Sequence, residues 1–249
     1  MPAPTPSSEA LSLLWRLQGP LEESIFVVQN WDTRNPPREP YATRDSAGNL
    51  TWHAISQASL AEPKIKSISI HVDVLERWQR EWIEWHERHA SPEDDHCIFG
   101  ELPDDELYKS EGDDEEDEDD DDDSEGELLR CCDTERPKRA LPLGIKASNM
   151  RYITIHDYIS TLHPWLMGLR EDIAKADNLL GDRKPEEYEN LVVDISNPHC
   201  LTVMDDKRFL GTRYTGAPVP IDTSQEYMDW FNKVLVRDRP NWGTPISRP

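Results

Sequence analysis

The sequence predicts an α+β fold: a small, mostly antiparallel sheet packed by several amphipathic helices, with a disordered acidic insert. Three observations carry this. Across 151–180 apolar side chains recur at helical spacing. Across 65–72 and 191–204 they alternate, or run in short stretches bounded by turn residues, as strands do. Between Asp104 and Glu127 seventeen acidic residues stand against one lysine, a net −16 of the chain's −23. So dense a block of like charge repels itself and stays solvated.

At 249 residues the chain suits one or two domains. Residues 103–140 read as the insert, with 9–102 and 141–239 co-folding around it because each flank alone offers few elements and small cores are marginal. Residues 1–8, rich in Pro and Ser, and 240–249 read as tails.

Taken in order, Ser7 or Ser8 caps a helix over 9–17 with Leu11, Leu14 and Trp15 as its apolar face, stopped by Gly19 and Pro20. A strand over 25–31 is followed by an extended loop forced by Pro36, Pro37 and Pro40, and a second strand by 50–55. Over 65–72, Ile68, Ile70 and Val72 alternate with Ser67, Ser69 and His71, the mark of a half-buried strand. Asp73 stands at the N-cap position of a helix over 74–89, whose stripe is Leu75, Trp78, Trp82, Trp85 and His89. The stripe reads as core rather than as an exposed partner surface.

Thr154 and Asp157 make a capping box that opens a helix at about Ile155. Ile155, Tyr158, Ile159 and Leu162 share one face. Pro164, lacking an N–H, is expected to end this helix and start a second carrying Trp165, Leu166, Leu169, Ile173 and Ala176. Strands over 191–195 and 200–204 form a hairpin ended by Asp205 and Asp206, and Thr223 with Glu226 opens a last helix to about Val236.

The segment TIHDYISTLHPWLMGLRED, Thr154 to Asp172, resembles a motif of an uncharacterised fungal protein family. The resemblance covers under a tenth of the chain and implies no activity and no site residue.

Candidate chemistry is sparse. His86 and His89 lie one helical turn apart with His96 and Cys97 close behind, so an intracellular zinc site is sterically possible. The spacing matches no strong signature, and His86-Glu87-Arg88-His89 is one residue too short for the HExxH helix. The plainer reading keeps these as helix-face and helix-end residues, with no metal or cofactor. His156-Asp157 is similar to the His-Asp doublet of metal-dependent phosphohydrolases, but Asp157 as a cap and His163 packed beside a helix break account for both. Gly211 to Gly216 has P-loop separation with Ala217-Pro218 where Lys-Ser/Thr is required. Cys131 and Cys132 fall in the polar insert, where a structured basic pocket to form a thiolate is not expected.

No apolar run is long enough to span a bilayer and no signal peptide opens the chain, so the protein is expected in the cytoplasm or nucleus with reduced thiols. The only compact basic cluster is Arg136, Lys138 and Arg139, which argues against direct nucleic-acid binding. The expected function is an interaction module whose acidic segment attracts basic proteins, with Ser110 and Ser124 as phosphorylation candidates in that segment. The competing class is a hydrolase-like enzyme with dispersed site residues.

Overall fold

The computed structural model describes residues 3–31, 37–102, 126–179, 181, 184 and 188–214. The chain begins with β1 (Thr5–Pro6), α1 (Ser8–Leu11), β2 (Leu13–Arg16), α2 (Leu21–Ser24), β3 (Ile25–Val28) and β4 (Arg38–Pro40). It continues through β5 (Ala42–Arg44), β6 (Leu50–Trp52), a 3-10 turn (Ala54–Gln57), β7 (Ala61–Glu62), β8 (Ser67–Val72) and α3 (Asp73–His86). Next come β9 (Ile98–Gly100), β10 (Glu127–Cys131), β11 (Thr134–Glu135), β12 (Leu143–Lys146) and α4 (Ile155–Asp177). The hairpin β13 (Leu191–Asp194) and β14 (Cys200–Asp205) leads into α5 (Asp206–Tyr214).

The fold is α+β. Seven strands form one mixed sheet in the order β12-β8-β14-β13-β2-β3-β4, antiparallel except where β14 runs parallel to β8. Its strands come from both sides of the acidic tract. Alternation along them divides the core in two: Leu13, Trp15, Val27 and Val193 face the main cluster under α4, whereas Leu14, Val28, Val192 and Met204 face α5 through Phe209. A second sheet, β11-β10-β9, stands apart with its own small cluster of Trp82, Leu128 and Cys131. Among the described residues no helix is long and apolar enough to cross a membrane.

Several sequence expectations change. The helix over 9–17 is one turn, Ser8–Leu11, capped by Ser7, after which the chain becomes the central strand β2. Leu13, Leu14 and Trp15 are buried on both sheet faces, and such a run has no periodicity to tell it from helix. The tail over 1–8 is ordered from Thr5, which pairs with Glu62. The strand over 50–55 stops at Trp52 and turns into the 3-10 segment. Helix α3 ends at His86, and its buried line runs Leu75, Trp82, His86, with Trp78 and Trp85 half-buried and His89 exposed beyond the helix end. Asp73 is the first helical residue and binds Arg77 at 3.0 Å, while Val72 holds the cap position.

Pro164 does not end a helix. Helix α4 runs through it unbroken, because Pro164 is exposed while Leu162, His163 and Leu166 around it are buried. The lost N–H therefore falls on the wet side, and the buried stripe holds both halves in line. Its capping box is present, with Asp157 N–H donating to Thr154 Oγ1 at 3.0 Å and Thr154 N–H to Asp157 Oδ2 at 2.9 Å. Burial pushes the Asp157 carboxyl up, but hydrogen bonds from the Thr154 N–H, from Ser148 and from the Thr154 hydroxyl outweigh it and hold the group below the usual carboxylate range. Trp165, expected in the core, is half-buried.

The expected disordered insert over 103–140 is too long. Residues 103–125 lie outside the described residues, but 126–140 carries β10 and β11, with Leu128 and Cys131 buried. Composition hid this, because two buried side chains in a polar stretch leave almost no signal. The expected helix over 223–236 and the tail from 240 also lie outside the described residues.

Candidate functional site

Helix α3 sets one wall of the site. Beyond its end, the N–H groups of His89 and Ala90 both donate to His86 O, at 3.1 and 2.9 Å, and fold the chain back so that His89 stands beside His86. Two further turns, Asp94 N–H to Ser91 O and Cys97 N–H to Asp94 O, both at 3.0 Å, deliver Cys97 to the start of β9.

The other wall is the pair of hairpins around β10. In the β9–β10 ladder Glu127 lies opposite Gly100 and Arg130 opposite Ile98, with a bulge between Leu128 and Arg130. A side chain on Gly126 would place its Cβ 2.9 Å from the Gly100 backbone, so the two chains meet this closely only through glycine. From β10 to β11, Cys131 pairs with Thr134 across a two-residue turn, Cys132 and Asp133, both at positive φ (51° and 61°). Asn-Gly or Gly-Gly is the favoured filling of such a turn.

These walls bring together residues up to 48 positions apart. His89 Nε2 lies 3.2 Å from Cys132 Sγ and 3.4 Å from Cys131 Sγ, and the two sulfurs are 3.6 Å apart. His86 completes a set of four whose ligand atoms all lie within 4.8 Å of one another. A second set, His96, Cys97 and Cys131, shares Cys131, with Cys97 Sγ 3.6 Å from Cys131 Sγ. The four residues the sequence offered as metal candidates, His86, His89, His96 and Cys97, thus meet around one cysteine the sequence did not offer.

Hydrogen bonding fixes the His86 tautomer. Thr134 Oγ1 gives its one hydrogen to Cys131 O at 2.8 Å and accepts from Trp82 Nε1 at 3.0 Å. The 3.4 Å contact with His86 Nε2 is therefore donated by the imidazole. That leaves His86 Nδ1 a bare lone pair, buried and without a partner, on a residue only 4% exposed. Burial, then the neighbouring His89, pushes His86 down to about 4, so the ring is neutral. Burial, then contacts with Cys97 and Cys132, pushes the Cys131 thiol up to about 12. An open cleft of about 940 Å³ adjoins the cluster through Trp82 and Thr134, and Arg136, Lys138 and Lys175 lie on its walls.

Among the described residues the other histidines do not gather into a site. Trp15 Nε1 donates to His163 Nδ1 at 3.1 Å and His163 Nε2 donates to Gly19 O at 3.1 Å, so both nitrogens serve the core. His156 packs edge-on against Trp52 at 4.4 Å. Ser110 and Ser124 lie outside the described residues.

Cys131 and Cys132 are what sequence reasoning missed. The available signal was a two-residue turn in the alternating stretch ELLRCCDTE, whose thiols would add two ligands to His86 and His89. No protein-family model, curated protein or solved structure matches this chain.

Proposed function

We propose that this protein is an interaction module of the cytoplasm or nucleus that holds out its acidic tract to basic partner proteins. The observation that supports this reading is the β9–β10 pairing. Gly100 and Glu127, at the two ends of the tract, are cross-strand partners. A segment with net −16 thus connects two strands that pair with each other. Charge at that density attracts a basic surface across many ångströms, and salt screens it. Ser110 and Ser124 stand inside the tract, and each phosphate would add about −1.5 to −2 charges to it.

The test is binding of a histone-like basic protein to the full chain and to a chain lacking 103–125, at low and at physiological ionic strength. The full chain should bind, more tightly when phosphorylated and less tightly as salt rises, and the deletion should abolish binding. Equal binding by both chains overturns the proposal.

A further inference from the structure

We propose that the base of the acidic hairpin is a structural zinc site, one ion held by His86, His89, Cys131 and Cys132, with Thr134 fixing the orientation of His86. Three of the distances fit one face of a tetrahedral centre, and His86 lies within 4.8 Å of these atoms. With Zn–S of about 2.3 Å and Zn–N of about 2.0–2.1 Å, tetrahedral geometry sets S···S at about 3.8 Å and N···S at about 3.5 Å. The triangle of Cys131, Cys132 and His89, with edges of 3.6, 3.4 and 3.2 Å, is one face of such a tetrahedron.

The fourth vertex comes from an independent observation. His86 is buried and its Nε2–H is committed to Thr134, so its unpartnered Nδ1 has a lone pair and no donor to meet it. A buried acceptor without a donor calls for an explanation, and although His156 Nδ1 is also unpartnered, His86 lies in a His/Cys set and His156 does not. A metal ion supplies one, and the imidazole that binds it carries an oriented hydrogen bond on its other nitrogen, as metal-bound histidines do. Two imidazoles and two thiolates are a borderline-soft set with no open position, which selects zinc in a structural role.

The local fold shows what the ion would do. Among the described residues the β11-β10-β9 sheet has a cluster of three buried residues, and one of them is Cys131. The stretch from His89 to Cys97 is a series of turns. A core this small needs a staple. Zinc would tie the end of α3 to the β10–β11 turn, fixing the platform from which the acidic tract departs. The turn agrees with this use, since Cys132 occupies a positive-φ position that a cysteine fills poorly and a glycine or asparagine fills well. Cys97 and His96 make only a three-membered set with Cys131 and remain outside the coordination.

The test uses the full chain, freed of metal by a chelator under reducing conditions and titrated with Co²⁺ and then Zn²⁺. Wild-type protein should take up one cobalt ion with tetrahedral ligand-field bands and thiolate charge-transfer absorption, and one zinc should displace it. His86→Ala and Cys132→Ser should each weaken binding by more than about 100-fold, and Thr134→Ala by about 10- to 100-fold. Cys97→Ser should bind as wild type. A chain lacking 103–125 should still bind one zinc, which separates this site from loose chelation by carboxylates and from the fate of the acidic tract. Should a ligand variant fail to fold, hydrogen exchange of the wild-type protein decides instead: stripping zinc should expose amides of 127–135 and spare those of α4. Absence of a tetrahedral cobalt spectrum, wild-type affinity in Cys132→Ser, or a loss in Cys97→Ser equal to that in Cys132→Ser each overturns the assignment.

Discussion

The two sheets of this protein solve the same problem by different means. Among the described residues the seven-stranded sheet buries twenty-seven in one cluster under α4, among them Trp15, Tyr158 and Leu162, and its histidine at position 163 is consumed by hydrogen bonds. The three-stranded sheet buries three, and its histidine at position 86 keeps an unused lone pair. Where apolar area suffices, His163 is satisfied within the core, although Tyr41 Oη and His156 Nδ1 there are buried without a partner among the described residues. Where it does not, side chains with metal-binding chemistry gather. The contrast also divides the chain: the large sheet holds most of the buried apolar residues, and the small one contains the two strands that flank the acidic tract.

The sharpest way to break this contrast is to truncate an aromatic in each core. Trp15 is fully buried, edge-on to Tyr158 at 6.5 Å and bonded to His163, so Trp15→Ala should cost about 3–5 kcal/mol, a large share of the ~5–15 kcal/mol that holds a domain together. Urea denaturation followed by circular dichroism should show the whole transition moving or vanishing. Trp82→Ala removes an equally buried ring, but from the small cluster. Its cost should appear as lost hydrogen-exchange protection over 127–135 with the main transition retained, and a global collapse would show that the two sheets are one cooperative unit.

A smaller effect comes from pH. Burial lowers the His163 pKa, only partly opposed by its bond to Gly19 O and by Glu22. Unfolded, the imidazole titrates at about 6.5. Between the folded value and about 6.5 the unfolded chain binds more protons, so this contribution is complete above that window and is lost as pH falls through it. The urea midpoint should drop below about pH 6.5, and NMR titration should find His163 still neutral there. An imidazole titrating at or above 6.5 contradicts the buried Trp15-His163-Gly19 chain of bonds.

The smallest effect is expected for the acidic tract. Gly100 and Glu127 are already paired, so replacing 103–125 by a short turn should change the thermal midpoint little, because each doubling of loop length costs only about 0.6 kcal/mol. Extending the deletion to 140 removes β10 and β11 and should abolish protection at the end of α3. If both deletions behave alike, the small sheet contributes nothing to the fold.

What could be read from the chain alone was local. The capping box of α4, the alternation of β8 and the β13–β14 hairpin each depend on residues within a few positions of one another, and each stands where the pattern put it. Asp205 and Asp206 were legible as the end of β14, but not as the start of α5, where Asp205 accepts the Arg208 N–H at 3.0 Å. Helix α5 has little apolar periodicity of its own and is held by Phe209 against the second face of the sheet. The identity of β2, the passage of α4 through Pro164 and the gathering of His86, His89, Cys131 and Cys132 were decided by tertiary structure. The reason is the same in each case: a doubly buried strand and an exposed proline are distinguished only by which side meets the core, and thiols some 42 residues from their imidazole have no local period to announce them.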